Sequence, residues 1–444
     1  MRNSIDFTNG PIIRPLLGFT LPLFLGNILQ QMYAVTDSII VGRLLGPQLL
    51  AAIGASSPII HLCLSVMIGF SLGVNIRVAQ LFGTHEQNKM HICIVSSYIF
   101  FLSLAIVVTV FGIIFAPLIL KTIETPSDVL HDAVLYLRIS FAGTILMVGY
   151  NTTSAIYRGI GNSATPLFML ILSTVLNIAL DFLFVIGFGW GIGGTAIATI
   201  ISQGIAFTLA FLSLTRIYGH SILGKNKFHY DRTEVRQCMR IGIPSGFKSG
   251  TYWFGFVILT GLVNSYGVNA IAAFSTASKI DSFVMTPMAS LSSSLSSFVG
   301  QNVGAKKPER IRKSVRASLL IGIFFATTVG VWLFFGAESA MRFFTNDSGV
   351  IAIGSRYLRI VSSLYIVYVL EEVPQGVAIG CGDTLWLLLS TVCAMWAARI
   401  PLSFYLSTHI GLDGIWYSMP SGWFVALLFC GGYYVSGFWK KRMQ

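Results

Sequence analysis

Two aspartates stand inside long apolar runs of the sequence, where an ionised carboxylate is costly. Asp37 falls in the run 14–41 and Asp181 in the run 166–188, and neither has a Lys or Arg three or four residues away. A charged side chain at the centre of a bilayer costs about 2.5–3.5 kcal/mol on insertion scales. Both aspartates are therefore candidates for a functional role. The alternative is a carboxylate that only hydrogen-bonds neighbouring helices.

An amide and a hydroxyl accompany the second aspartate. Asn177 lies four residues before Asp181, on the same face of a helix, and Thr199 has a similar depth in the next apolar run. Two neighbouring carboxylates retain a proton more readily than one, and hard cations prefer oxygen ligands. These residue types therefore suit the binding of a proton or a Na⁺ ion.

Twelve apolar runs must position these groups. A helix needs about 20 apolar residues to cross hydrocarbon about 30 Å thick. Of the 444 residues, 54% are hydrophobic and 10% are charged, whereas soluble domains carry about 25% charged residues. This composition excludes soluble, disordered and collagen-like proteins. We predict an all-α membrane protein with transmembrane helices near 14–41, 51–81, 91–116, 132–157, 166–188, 192–215, 238–264, 271–299, 315–337, 353–379, 385–408 and 413–437.

The basic residues indicate the orientation of these runs. With a cytoplasmic N-terminus, 20 of the 29 Lys and Arg residues lie on the inner side and 6 on the outer side. The positive-inside rule then predicts a multi-pass protein of the plasma membrane with both termini in the cytoplasm. The net charge of +12 reflects this topology, so we expect no nucleic-acid partner. The first run is expected to be retained, because no small-residue cleavage site precedes it.

The second half of the chain repeats the pattern of the first at a nearly constant offset. Pro22 matches Pro244, and Gly161 matches Gly382. Each half contains an even number of runs, so the halves begin on the same side and are related by an axis along the membrane normal. Such paired bundles are typical of transporters that expose a midplane site to each side in turn. The predicted organisation is an N-terminal six-helix lobe (1–215), a cytoplasmic linker (216–240) and a C-terminal six-helix lobe (241–444).

Motifs at equivalent places in the two halves point to a known family. They are Leu21-Pro22, Asp37-Ser38-Ile39-Ile40-Val41-Gly42-Arg43 and Ala51-Ala52-Ile53-Gly54, then Ile241-Gly242-Ile243-Pro244 and Gly300-Gln301-Asn302-Val303-Gly304. Over essentially its whole length the chain resembles multidrug and toxic compound extrusion (MATE) transporters, in the prokaryotic branch related to DNA-damage-inducible F proteins. The resemblance implies a cofactor-free antiporter, not an enzyme, that expels small organic, mostly cationic compounds by alternating access. H⁺, rather than Na⁺, is the expected coupling ion.

The resemblance also implies a cation site in the first half. Carried over residue by residue, it falls on Asp37, Asn177, Asp181 and Thr199, with Asn151 and Tyr136 as additions. The internal repeat maps Asp181 to Ser403 and Asn177 to Arg399, so the site is not duplicated. The coupling chemistry is therefore expected in the first half.

The second half has polar residues of its own within apolar runs. They are Glu371, Glu372, Lys248 and Arg399. Two interpretations of Glu372 remain open: an ion pair with Lys248 or Arg399, and contact with a substrate.

Pro22 is a predicted hinge. It removes one backbone hydrogen bond from the first helix and clashes with the carbonyl four residues earlier, so the helix is expected to bend. The alternative is a static kink.

Two rival functions remain. One is a lipid-linked oligosaccharide flippase, which needs a strongly cationic cavity, whereas only Lys248, Lys279 and Arg399 lie in or near the membrane. The other is a membrane scaffold or receptor. We expect a monomer in contact with lipid. The six Cys and seven His residues lack metal-ligand spacing, so no metal site other than a Na⁺ site is expected.

Overall fold

The computed structural model describes residues 4–123, 125–222 and 229–443, and no strand occurs within these ranges. Side chains are described there except at positions 34, 35, 37–39, 43, 44, 47, 50, 61 and 217–222. The α-helices are α1 (Ile13–Leu44), α2 (Pro47–Gly83), α3 (Gln87–Thr122), α4 (Ser127–Ala142), α5 (Thr144–Gly159), α6 (Ala164–Phe182), α7 (Gly191–Ile222), α8 (Arg232–Asn264), α9 (Val268–Gly304), α10 (Pro308–Arg342), α11 (Ser348–Ser362), α12 (Tyr365–Cys381), α13 (Thr384–Val392), α14 (Ile400–Ile410) and α15 (Leu412–Val435).

In the described part of the chain these helices form twelve rods, as predicted. π-helical segments extend α6 (Leu183–Gly187) and join α13 to α14 (Cys393–Arg399), and a 3₁₀ helix (Phe438–Met443) follows α15. Six rods are long and apolar enough to cross a membrane, and eight are if the bent pairs α4–α5 and α11–α12 each count as one span. Helices dominate because a backbone in hydrocarbon must satisfy its hydrogen bonds within the segment.

The internal repeat is visible in the backbone itself. α4 and α5 meet at 45°, and α11 and α12 meet at 52°. Left-handed φ angles, which are uncommon outside glycine, recur at equivalent positions of the two halves. The matching pairs are Gly46 (88°) with Gly267 (91°), His85 (58°) with Lys306 (54°), and Gly161 (82°) with Gly382 (80°). The two halves therefore share turn geometry as well as helix order.

Residue contacts divide the chain into two compact units. The first unit contains Met1–Asp6 and Leu25–Gly242, and the second contains Phe7–Phe24 and Ile243–Gln444. This division differs from the predicted lobes in two respects: the segment Phe7–Phe24 belongs with the second half, and the first unit continues through the predicted linker to Gly242. The linker is also shorter than predicted, because α7 and α8 extend into it, and residues 223–228 lie outside the described part.

The segment that starts with Phe7 is fixed within the second unit. The Phe7 ring is buried against Phe19 and Phe298, with ring centroids 5.3 and 5.1 Å apart. Its backbone N–H donates to Gln301 Oε1 at 2.9 Å, and the guanidinium of Arg310 donates to its carbonyl at 2.9 Å. Packing and hydrogen bonds together place this stretch in the core of the second unit.

The first turns of α8 are fastened within the first unit. Arg77 on α2 forms a bidentate ion pair with Glu234, at 2.7 and 2.8 Å. The backbone of α8 comes so close to Gly73 that a Cβ there would lie 2.1 Å from the carbonyl oxygen of Cys238. Thus α1 and α8, the first helix of each half, both contribute residues to both units.

One face of α10 is apolar and exposed along its length. Its buried face is built mainly from small residues, which allow close packing. The exposed residues are Leu320, Phe324, Val331 and Phe335, and the buried ones include Gly322, Ala326, Gly330 and Ala337. An exposed stripe of this kind suits contact with lipid chains.

Candidate functional site

The buried face of α6 carries the predicted polar pair. Its buried residues recur every three or four positions, the spacing of a single helix face, and α6 packs against α7. They are Pro166, Met169, Ser173, Asn177 and Asp181. Asp181 is 0% exposed and Asn177 is 1% exposed. The π-helical turn Leu183–Gly187 begins two residues later, and such turns are frequent at functional sites.

Asn177 links Asp181 to α7. Its amide nitrogen faces Asp181, since the opposite orientation would bring two acceptor oxygens together. The nitrogen donates to Asp181 Oδ2 at 3.1 Å, and the amide oxygen accepts from the Thr199 N–H at 3.2 Å. The hydroxyl of Tyr33, on α1, lies 3.1 Å from the Thr199 hydroxyl. We call Tyr33, Asn177, Asp181 and Thr199 the first-unit cluster.

In the first-unit cluster a neutral amide donates to the buried acid. The amide of Asn177 and the hydroxyls of Tyr33 and Thr199 carry no charge. Within the described residues, no group of three or more His, Cys, Asp or Glu side chains is arranged to hold a metal ion. The arrangement can bind and release a proton at Asp181, and each change would alter the hydrogen bonds between α6 and α7.

A second polar network lies in the second unit. Gln375 is its centre: the amide oxygen accepts from Lys248, and the amide nitrogen donates to Glu371 Oε1 at 2.9 Å and to Glu372 Oε1 at 3.2 Å. The Tyr368 hydroxyl also donates to Glu372, at 3.2 Å. Of the two interpretations of Glu372, the ion pair with Lys248 or Arg399 is not seen among the described side chains. Gln375 stands between the charges instead.

This network borders a cavity of about 350 Å³. Arg399, at the end of the second π-helical segment, also lines it, and so do Trp253 and Trp423. The four predicted polar residues of the second half thus share one cavity.

The family follows from a comparison with known proteins. The MatE family model matches residues 22–183 and again residues 244–405, once in each half of the repeat. The chain belongs to the MATE family. Members of this family are membrane transporters and not enzymes, so this MATE protein is a multi-pass membrane transporter.

Relatives and solved structures agree with this assignment. The chain is 28% identical to the "Probable multidrug resistance protein YoeA" of Bacillus subtilis, over 96% of this chain and 93% of the relative. It is also 28% identical to the "Probable multidrug resistance protein YpnP" of the same organism, over 98% of both chains. A crystal structure described as MATE in complex with MaL6 has the same fold, with a TM-score of 0.90, 20% identity and 99% of each chain covered.

The other predicted residues of the first half belong to α1, α4 and α5. Asp37 is in α1, but its side chain is not among those described. Asn151, on α5, donates to the Met147 carbonyl of its own helix at 2.9 Å. Tyr136 is half-buried on α4. The MATE structure therefore joins Asn177, Asp181 and Thr199, and it adds Tyr33, which the sequence did not assign to the site.

One buried acid of this MATE protein was not predicted from the sequence. Asp281, on α9 in the second unit, is 3% exposed. Tyr365 donates to its Oδ1 at 2.6 Å, and Tyr357 donates to its Oδ2 at 3.1 Å. The signal was present in the sequence, because Asp281 is an ionisable residue within an apolar run and stands two residues after Lys279.

Proposed function

We propose that this MATE protein is a secondary active exporter of small organic, mainly cationic compounds, driven by the inward flow of H⁺ rather than Na⁺. It works by alternating access in the plasma membrane, with both termini in the cytoplasm. It acts as a monomer surrounded by lipid, needs no cofactor and binds no nucleic acid. The names of the two Bacillus subtilis relatives, both given as probable multidrug resistance proteins, support export of toxic compounds.

The observation that carries this proposal is the complete burial of Asp181 beside the neutral amide of Asn177. Burial in an apolar interior disfavours the ionised form of a carboxyl group, and a proton removes the charge. The protonated acid also becomes a donor, so the hydrogen bond from Asn177 must rearrange. Because Asn177 connects α6 to α7, uptake of a proton would change how these two helices pack. Asp37, the second acid of the predicted site, would take part in the same exchange.

The hydrogen-bond donors favour H⁺ over Na⁺. A hard cation needs several converging oxygen ligands. Here Asn177 turns its nitrogen toward Asp181 and its oxygen toward the Thr199 N–H, so the amide oxygen is already used. A proton needs only one carboxylate oxygen. One pH unit then supplies about 1.4 kcal/mol per proton, enough for roughly tenfold accumulation of an exchanged compound.

Efflux from proteoliposomes tests this proposal. With an imposed pH gradient, wild-type protein should drive ethidium export, while Asp181→Asn and Asp37→Asn should lose gradient-driven export, because an amide cannot take up the proton. Binding of ethidium, measured by fluorescence anisotropy without a gradient, should persist in both variants.

The matched control is Ser403→Ala, at the position that corresponds to Asp181 in the second half. It should export normally. Export by Asp181→Asn at the wild-type rate would remove Asp181 from the coupling. Export driven by a Na⁺ gradient and not by a pH gradient would refute the choice of H⁺.

A further inference from the structure

One exposed face of α10 changes from basic to apolar along its length. Lys313 and Arg316 are exposed and lie three residues apart, and Leu320 and Phe324 follow at intervals of four residues. Residues three or four positions apart are neighbours on a helix surface, so all four side chains share one face. The exposed apolar stripe of α10 therefore begins one turn after two positive charges.

Lys313 and Arg316 have no carboxylate partner in the described part of the chain. No Asp or Glu oxygen described there lies within 4 Å of either side chain. Glu309, the acid one turn before Lys313, forms an ion pair with Arg312 at 2.6 Å. The negative charge of Glu309 is thus offset within α10, and the exposed face keeps a positive charge at this end of the helix.

A groove of about 390 Å³ lies beside Lys313, within the second unit. Glu309, Arg310, Lys313 and Ala317 of α10 form one wall, and residues 10–13 form the other. Arg310 Nη1 donates to the carbonyl of Gly10 at 2.9 Å, which fixes the position of the second wall. The groove therefore exists before any ligand enters it.

The second wall of the groove adds apolar surface next to the charges. Ile13 is 54% exposed, and Leu17, one turn further along α1, is 42% exposed. On a helix that crosses a membrane, such side chains contact lipid chains and not water. A ligand that satisfies both parts of this surface must carry an anionic group together with a long apolar group.

We propose that this surface binds one anionic phospholipid, with its phosphate at Lys313 and Arg316 and an acyl chain along Leu320 and Phe324. Basic residues at a membrane surface attract anionic lipids, and both lysine and arginine bind phosphate. A zwitterionic lipid also carries a phosphate, but its own ammonium group offsets the attraction. A soluble phosphate would leave the apolar part of the surface without a partner. The proposal depends neither on the coupling ion nor on the exported compound.

Two lipids that share their acyl chains and differ in headgroup charge test the proposal. Dioleoyl phosphatidylglycerol is anionic, and dioleoyl phosphatidylcholine is zwitterionic. Native mass spectrometry of the purified, delipidated full-length protein measures the dissociation constant of the first lipid bound. Wild-type protein should bind the phosphatidylglycerol about tenfold or more tightly than the phosphatidylcholine, because each base near a membrane surface contributes about fivefold.

Matched variants test the position of the lipid on α10. Lys313→Gln combined with Arg316→Gln should weaken binding of the first phosphatidylglycerol about tenfold or more and leave binding of phosphatidylcholine unchanged. Arg342→Gln combined with Arg359→Gln removes the same charge from exposed positions elsewhere in the second unit, and it should change neither constant. Free glycerol phosphate, the headgroup without chains, should not displace the lipid at an equal concentration. Size-exclusion chromatography establishes that each variant is folded.

Equal affinity of the wild-type protein for the two lipids overturns the proposal, whether or not the variants fold. A folded Lys313→Gln, Arg316→Gln variant that keeps the preference for phosphatidylglycerol also overturns it, and so does an equal loss in the Arg342→Gln, Arg359→Gln control. Displacement of the lipid by an equal concentration of glycerol phosphate would assign the surface to a soluble phosphate and refute the choice of a lipid.

Discussion

Asn177 distinguishes the interior of the first unit from that of the second. It bridges the buried Asp181 to Thr199 through a neutral amide. The two ranges matched by the family model, 22–183 and 244–405, have the same length, and their alignment pairs Asn177 with Arg399. At the equivalent place the second unit thus holds a permanent positive charge beside Asp281.

Replacing the bridge should uncouple the carboxylate from α7. In Asn177→Leu, which keeps the branched shape but removes the amide, Asp181 loses the hydrogen bond from Asn177, and a hydrogen bond to a charged group is worth about 1.5–3 kcal/mol. We expect pH-driven ethidium efflux to fall about tenfold in proteoliposomes. Ser173→Ala, one turn earlier on the same buried face, is the control and should retain activity. Normal efflux by Asn177→Leu would show that the bridge is dispensable.

From the sequence, the residues of α6 and, by its similar depth, Thr199 could be predicted for this site, but Tyr33 could not. Asn177 and Asp181 were predictable because four residues of helix place them on one face. The contact between Tyr33 and Thr199 joins residues 166 positions apart, and no local pattern encodes it. Gln375 was missed for a different reason. The sequence suggests a direct ion pair between opposite charges, whereas the structure places the neutral amide of Gln375 between Lys248 and the two glutamates.

Matching glycines set the closest helix contacts in each unit. A Cβ on Gly159 of α5 would lie 2.7 Å from the carbonyl oxygen of Asn75 on α2. A Cβ on Gly380 of α12 would lie 2.6 Å from the carbonyl oxygen of Ser296 on α9. The internal repeat aligns Gly159 with Gly380 and Asn75 with Ser296. It therefore preserves a backbone-to-backbone contact that only glycine allows.

Gly159→Ala and Gly380→Ala should both destabilise the protein. The added methyl group meets backbone, which cannot move aside, and such overpacking typically costs about 1–3 kcal/mol. Thermal unfolding in detergent should show lower midpoints for both. Gly261→Ala on α8 is the control, because nothing lies within 4 Å of its added Cβ. Wild-type midpoints for the first two variants would mean that the helices can separate at little cost.

Prolines mark the places where α1 and α8 pass from one unit to the other. The unit boundary falls after Phe24 in α1 and after Gly242 in α8, within two residues of Pro22 and Pro244.

If these prolines are hinges, Pro22→Ala and Pro244→Ala restore a backbone hydrogen bond and stiffen both helices. Transport should slow while the unfolding midpoint stays the same or rises. Pro117→Ala, inside α3 and within one unit, should not slow transport. A normal rate in both hinge variants would identify static kinks.

Helix positions were largely predictable, and helix lengths were not. All twelve apolar runs coincide with rods, because a helix that crosses the hydrocarbon core needs about 20 apolar residues, and such runs are visible in the hydropathy of the sequence. The rods extend further: α2 covers 37 residues, Pro47–Gly83, whereas the predicted run ends at residue 81 and begins only at residue 51. The hydropathy of the sequence indicates which residues lie in the hydrocarbon core. The ends of a helix depend instead on capping of its terminal backbone groups and on packing.

The predicted orientation of the whole molecule can be tested by labelling. Asn346, between α10 and α11, and Glu309, at the start of α10, are both accessible at the ends of their helices. In a background without the six native cysteines, a membrane-impermeant maleimide applied to intact cells should label Asn346→Cys and not Glu309→Cys. Permeabilised cells should label both. The reverse pattern would place the termini outside.

The exchange of Phe7–Phe24 into the second unit has a consequence for the timing of folding during synthesis. The hydrogen bond from the Phe7 N–H to Gln301 cannot form until Gln301, 294 residues later, has been made. At about 5–20 residues per second, this wait lasts roughly 15–60 s. Through that interval the leading helix must stay in the bilayer without its contacts to the second half of the chain. The order of assembly is thus constrained: the second bundle closes around a piece of chain that was translated first.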